Sequence, residues 1–319
     1  MRENHLICIP KSTTMDAALK LKIDISNGEI VSKTEAIQRL ATSELVNKLT
    51  SDITENPLFY IWRITALSEI PEAKYLDYTK NLIDRIYNKL STPFGFSLSG
   101  DKKMFLPCYN AMLISAMCRL GRANDEEVKR AVNWINTYQP IEKGIKISIP
   151  SFRFDRFGGC FNNTPCYIGL AKSIIALFNF QKATNDTTCN KKLQQGIEYI
   201  LQHQLVKRLT NNKPITNHIL DLSFPESYHL NIVELIRFAG EANLLYDERT
   251  AFAVNFLQDK KQKDGGWKIN FRYKADGYIV FDNGRSSAKW LTFIISDALS
   301  NNNPNQIRHN LSYQSVKIH

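Results

Sequence analysis

Three cysteines and one histidine carry the sharpest chemical signal in the sequence. Cys108 and Cys166 each sit in a Pro-Cys-Tyr triplet that opens an apolar stretch, Cys160 lies just before the second triplet, and His229 opens a third such stretch. Zinc accepts soft thiolate and borderline imidazole ligands, so these four would make a tetrahedral site. Five residues separate Cys160 from Cys166, outside the common zinc-knuckle spacing. The same residues fit a reactive thiolate, because a helix N-terminus lowers a thiol pKa and His229 would serve as its base. No Cys-His-Asn order accompanies them. A third reading is inert packing, since a buried free cysteine behaves as a small hydrophobe. The residues leave all three open. Cys118 reads as mid-helix core, and Cys8 and Cys189 as peripheral.

A second set is cationic. Arg153 and Arg156 flank Asp155 in a segment that leads to Gly158-Gly159-Cys160, Lys172 lies in the apolar stretch that follows, and Arg285 and Lys289 come near the end of the chain. Guanidinium groups match phosphate oxygens bidentately, so this set would receive a diphosphate, with Asp155 the carboxyl candidate for catalysis. The alternative is a group of surface salt bridges, with Lys172 extending its ammonium to the rim. Phe152, Phe154, Phe157, Tyr167, Phe224, Tyr228, Trp267 and Trp290 would either line an apolar cavity and present π faces to a carbocation, or pack hairpin joints.

The elements that must position these groups show as a repeat. Ala131 to Ile135, Gly196 to Ile200 and Ala253 to Leu257 share the order small, β-branched, polar, aromatic, aliphatic, and each is followed by a glutamine, Gln139, Gln204 or Gln262. Asn124, Asp125 and Glu126 before the first, and Asp247 and Glu248 before the third, are suitable N-terminal caps. Between these amphipathic stretches lie uniformly apolar ones, Leu58 to Leu67, Tyr109 to Leu120, Tyr167 to Phe180, Leu230 to Ala242 and Trp290 to Leu299. A helix apolar all round is buried, whereas one with a polar face meets water. With Thr34 to Leu49 and Tyr75 to Leu90 as further half-polar members, the alternation predicts an all-α fold, an α/α toroid of about five inner and five outer helices. Ile145 to Ile149 and Lys268 to Tyr273 read as long loops. The expected divisions are an N-terminal extension over 1–30, the toroid over 31–300 and a polar C-terminal tail over 301–319.

At Phe256-Leu257-Gln258 through Gln262-Lys263-Asp264-Gly265-Gly266-Trp267 the chain resembles the Gln-Trp repeat of squalene and oxidosqualene cyclases, also seen in protein prenyltransferase β subunits. In that motif the glutamine bonds backbone carbonyls at a helix end, the glycines turn the chain, and the tryptophan stacks back on the hairpin. From about Pro107 to Leu299 the chain is similar to prokaryotic squalene-cyclase-like and prenyltransferase-like proteins of the α/α toroid superfamily. The supporting segments are Pro107-Cys108-Tyr109, Cys160 with Cys166 and Lys172, Leu222-Ser223-Phe224-Pro225 with Tyr228-His229, Asp247-Glu248-Arg249, Asp264 to Trp267, and Gly284-Arg285 with Lys289-Trp290. The resemblance implies a terpenoid cyclase-like or prenyltransferase-like protein that holds an isoprenoid, or another apolar ligand with an anionic head, in the toroid lumen. Two departures stand beside it. The Asp-x-Asp-Asp motif that protonates an alkene in class II cyclases is absent, and so is the Asp-x-Cys of the prenyltransferase zinc site.

Composition narrows the remaining choices. The 41 Lys and Arg outnumber 31 Asp and Glu to give +10, a long-range field that favours anionic partners. The charge is spread along the chain and no compact basic arm interleaves with aromatics, which disfavours nucleic acid. No leader-like apolar stretch follows Met1 and no apolar run reaches membrane length, so a cytoplasmic protein is expected. Six cysteines in 319 residues are too few for a disulfide scaffold. Two other functions remain: a non-catalytic scaffold that binds a peptide or an acidic protein partner, and a zinc-dependent enzyme or zinc-stabilised toroid. No cofactor other than zinc is suggested.

Overall fold

The computed structural model describes residues 15–145, 160, 164–284 and 286–300. The fold is mostly helical. Each expected apolar stretch becomes a helix: α4 (Pro57–Ser68), α6 (Pro107–Arg119), α8 (Tyr167–Thr184), α10 (Ile232–Glu241) and α12 (Lys289–Ser300). The half-polar stretches become α5 (Asp77–Leu90), α7 (Glu126–Tyr138), α9 (Asn190–Gln202) and α11 (Ala251–Asp259). Each half-polar helix packs on the apolar one that precedes it, and the apolar ones pack on each other, α4 on α6, α6 on α8 and α10 on α12. The Pro107–Cys118 face of α6 is buried without interruption, whereas α7 buries only Val128, Ala131, Val132, Trp134 and Ile135, the positions that its 3.6-residue period brings to one side. Among the described residues, no helix is long and apolar enough to cross a membrane.

Three local expectations change. Thr34 to Leu49 is two helices, α2 (Lys33–Ala41) and α3 (Glu44–Leu49), because the Ser43 hydroxyl accepts from the Val46 amide and starts a new helix. Ser43 in turn donates to Asp16, which also caps α1 (Ala17–Ser26), so residues within the N-terminal 30 form a helix whose Ala18, Leu19 and Leu21 are buried. Asp125 precedes α7 without capping it: its carboxylate accepts from the Tyr87 hydroxyl and pairs with Arg122. Asp247, by contrast, does cap, accepting from the Arg249 amide in the short turn before α11. The strands are a minimal hairpin, β1 (Ser91–Thr92) against β2 (Gly95–Phe96). Lys268 to Tyr273 is a loop as expected, while 146–149 lie outside the described residues.

The turn with the Gln-Trp resemblance has the physics that its residues suggest. Gln262 donates to the Lys260 carbonyl, Gly265 takes φ +84°, and the buried Trp267 indole donates back to the Leu257 carbonyl of α11 at 2.7 Å. The Trp267 amide then donates to Thr292 of α12, which joins the hairpin to the next apolar helix. Gln139 ends α7 with its side chain donating to the Pro140 carbonyl and accepting from Ser173 of α8.

A buried ion network ties the C-terminal ends of the apolar helices. The Glu69 carboxylate, just past α4, accepts from Arg119 of α6 at 2.6 Å and from Arg237 of α10 at 2.7 and 2.8 Å, with the Lys22 ammonium of α1 at 3.6 Å. Arg119 continues to Glu226, and Arg237 to Glu241, which also holds Lys182 of α8. These helices therefore run in one direction. Burial alone would raise the Glu69 carboxyl, but Arg119, Arg237 and Lys22 outweigh it and hold it well below the usual carboxylate range. Glu241 is likewise opposed by burial and is brought down to about 2 by Arg237 and Lys182.

Removing Glu69 takes one carboxylate from Arg119 and Arg237, which keep Glu226 and Glu241, and the nearest one from Lys22, so Glu69→Ala should cost about 3–5 kcal/mol in chemical denaturation at pH 7. Because its folded pKa is depressed, the stabilisation from Glu69 is complete above about pH 4.5 and falls as acid is added, so the gap between wild type and variant should narrow below that pH. A gap under ~1 kcal/mol at pH 7 would show that the network contributes only as exposed pairs do.

Candidate functional site

The opposite ends of the same helices carry the candidate site. Proline fixes the first turn of α6, with Pro107 at its first position, and neither Leu106 before α6 nor Cys166 before α8 supplies a side-chain cap. Asn231 starts α10 by accepting from the Glu234 amide. Loops 203–231 and 260–288 return to this end and bring His218, Tyr228, His229, Phe271 and Tyr273 over it.

Five rings close into a circuit there. Trp62 of α4 contacts Tyr109 of α6 at 5.7 Å between centroids, Tyr109 contacts Tyr228 at 5.8 Å, and Tyr228 contacts His229 at 5.4 Å. His229 contacts Tyr273 at 5.6 Å, and Tyr273 returns to Trp62 at 5.1 Å. No ring contact crosses the circuit between members that are not neighbours in it. Trp62 and Tyr109 are buried, while Tyr228, His229 and Tyr273 are half-buried, so the circuit has a closed floor and an accessible side. The Trp62 indole N–H is buried without a hydrogen-bond partner.

The three thiols lie beside this circuit, close enough for Cys160 and Cys166 to perturb Cys108 and for all three to perturb Tyr228. Burial pushes the Cys108 thiol up to about 12, with Cys160 and Cys166 adding to the shift, and pushes Cys160 up to about 11. Desolvation therefore outweighs the helix N-terminus expected to lower the Cys108 thiol pKa, and Cys108 and Cys160 stand as neutral thiols rather than nucleophiles. Among the described residues, no three His, Cys, Asp or Glu side chains gather to hold a metal ion. Cys108, Cys160, Cys166 and His229 thus do not close into the zinc set expected from their types, since the His229 imidazole packs among His218, Phe271, Tyr228 and Tyr273. Burial and the neighbouring His218 depress its pKa, which keeps it neutral at physiological pH.

Lys172 does not reach a rim. Its side chain is 1% exposed, and its ammonium donates to both oxygens of Glu234 on α10, at 2.9 and 2.8 Å. This pair, with Lys182 to Glu241 and the Phe178–Phe238 ring contact, joins α8 to α10. Burial pushes the Glu234 carboxyl up to about 7 against the opposing pull of Lys172. Lys172 lies five residues into α8, near enough for its charge to be felt at Cys108 and His229. Lys289 lines a surface cleft of about 340 Å³ with Asp16, Glu44, Lys48, Asp282 and Trp290. Arg153, Asp155, Arg156 and Arg285, with Phe152, Phe154 and Phe157, lie outside the described residues.

The other aromatics separate. Phe224 and Trp290 form a trio with Phe281, Tyr167 donates to the Leu205 carbonyl, and Trp267 belongs to the Gln-Trp turn. Sequence reasoning missed Trp62, Tyr273, His218, Asp221 and Glu234. His218 and Asp221, three apart, form a 2.7 Å pair whose spacing was a usable signal. Trp62, Tyr273 and Glu234 come from distant segments and carried none.

Comparison of the chain with protein-family models, curated proteins and solved structures finds no match.

If Cys108 and Cys160 are neutral thiols, iodoacetamide at pH 7.5 should alkylate them at least ~100-fold more slowly in the native protein than in urea, followed by peptide mass spectrometry. Native labelling as fast as that of the unfolded chain would mean that a thiolate is present.

Proposed function

We propose that the chain is an α/α toroid that binds one small apolar ligand, an isoprenoid with an anionic head, at the end of the bundle where α6, α8 and α10 begin. The observation that carries this reading is the ring circuit of Trp62, Tyr109, Tyr228, His229 and Tyr273. The five centroid separations run from 5.1 to 5.8 Å, so the rings form one continuous aromatic surface against which a branched aliphatic chain would pack. The phenols stay neutral, since burial raises Tyr228 to about 12 and Tyr109 and Tyr273 also upward, so the circuit presents apolar faces. The strict alternation of apolar and half-polar helices, with the apolar ones sharing a direction, supports the toroid. An anionic head suits the opening turns of α6 and α8, where backbone N–H groups and the helix dipole favour negative charge, and the cations Lys172, Arg153 and Arg156 complete the expected head-group set. The reading needs no alkene protonation and no metal.

Farnesyl diphosphate titrated into the protein should bind with quenching of tryptophan fluorescence. Tyr228→Ala and Tyr273→Ala, each half-buried and so tolerant of truncation, should each weaken binding by ~5–20-fold, and in combination by more. Equal affinity in wild type and the double variant, with circular dichroism unchanged, would remove the ring circuit as the binding site.

A further inference from the structure

We propose that Glu234 is the exchangeable counter-ion of Lys172, so that an anionic head group reaches Lys172 only as Glu234 takes up a proton from solvent. This rests on the ligand-binding reading above and adds a residue that neither residue spacing nor resemblance brings into the site.

Glu234 of α10 is surrounded by charged groups. Its side chain is 3% exposed and its two oxygens face the Lys172 ammonium of α8. From the segment before α10 it meets the carboxylate of Glu226, and from α6 the guanidinium of Arg119. Arg119 is already divided between Glu69 and Glu226, at 2.6 and 2.8 Å. On its own helix, Arg237 is committed to Glu69 and Glu241. Lys172 is therefore the one cation among these that is directed at Glu234 by hydrogen bonds, while Glu226 repels it.

Lys172 also faces the other way. Its charge is felt by Cys108 and His229, which border the ring circuit. An anion that enters the circuit meets neutral thiols, a neutral imidazole and the field of this ammonium, which lies five residues into α8. If the anion draws the ammonium away, Glu234 is left buried beside Glu226 with no cation of its own. A carboxylate in that position costs several kcal/mol, so it protonates instead. The balance is simple: the anion replaces Glu234 as partner of Lys172, one proton moves from water to a Glu234 oxygen, and no covalent bond to carbon forms or breaks. Glu234 is positioned to respond at neutral pH, because burial already brings its carboxyl to about 7 while Lys172 holds it.

The sign of the pH effect follows. Well above pH 7 the free protein has Glu234 ionised, so binding must bring a proton and affinity falls by up to ~10-fold per pH unit. Well below pH 7 Glu234 is already protonated, and binding draws no proton to it.

The test is calorimetric titration of the full chain with farnesyl diphosphate at pH 6, 7 and 8, each in two buffers of different ionisation enthalpy, for wild type and Glu234→Gln. The ligand's own protonation is common to both proteins, so the difference between them reports Glu234. We expect wild type to take up about one proton more than the variant at pH 8 and close to none more at pH 6. Equal proton uptake at all three pH values, with binding intact, overturns this inference and leaves the ligand reading standing. No binding by wild type at any pH overturns both. Should Glu234→Gln fail to fold, the double variant Lys172→Met with Glu234→Leu replaces the pair by apolar side chains of similar length, an exchange that buried ion pairs often tolerate. It should keep binding farnesol, lose at least ~10-fold in affinity for the diphosphate and lose the extra proton uptake; diphosphate affinity equal to wild type would overturn the inference.

Discussion

The buried carboxylate of Glu69 is the constraint on which the arrangement of helices depends. Apolar helices that run in one direction bring their C-terminal carbonyl ends together, and each such end carries a partial negative charge. Arg119 and Lys182 lie in the last turns of α6 and α8, where a cation offsets that charge, and Arg237 joins them from the middle of α10. Their own burial then needs anions, and Glu69, Glu226 and Glu241 supply them in a chain of hydrogen bonds that crosses from α4 to α10. The network therefore does more than fill space. It allows α4, α6, α8 and α10 to share a direction in a bundle whose remaining contacts are largely apolar, the buried Lys172–Glu234 pair apart.

Sharing a direction has a consequence at the other end. The opening turns of the same helices also lie together, and their unpaired N–H groups favour negative charge. At α6 and α8 no side chain caps this end: Leu106 and Cys166 precede those helices and offer no side-chain acceptor to the first turn, whereas Asn56 and Asn231 cap α4 and α10. Aromatic residues, thiols and imidazoles gather over this end, with the His218–Asp221 pair among them. One end of the bundle is thus closed by charge, and the other is lined by polarisable groups.

Lys172 and Glu234 connect the two ends. They sit inside the bundle, one on α8 and one on α10, at the seam where ring contact and ion pairs join those helices. On the α10 to α12 side the backbones themselves approach, and a Cβ at Gly240 would come within 2.4 Å of the Ala298 carbonyl oxygen. Where helices can close in this way, dispersion holds them; at the α8 to α10 seam, Coulomb attraction in a medium of low polarity does so. A seam held by a titratable pair can respond to a ligand, and one held by glycine packing cannot.

Much of this was written in the linear order of residues. The 3.6-residue period of α7, α9 and α11, the uniform hydrophobicity of α4, α6, α8, α10 and α12, and the turn chemistry of Asp264 to Trp267 are local properties, and local physics fixes them without reference to the rest of the chain. For the same reason Cys108 and Cys166 were legible as residues at helix starts, whereas His229 lies in the loop before α10, which begins only at Ile232. Their chemical state was not, because the pKa of a thiol depends on how much water the folded chain leaves around it, and burial of Cys108 and Cys160 is set by neighbours far away in sequence. The partner of Lys172 is 62 residues distant, and the rings that share the circuit with Tyr228 and His229 come from α4, from α6 and from the loop before α12. Hydrophobic period names the buried faces; only three-dimensional closure selects which polar groups end up trapped together behind them, and that selection, made by distance and desolvation, decided the site.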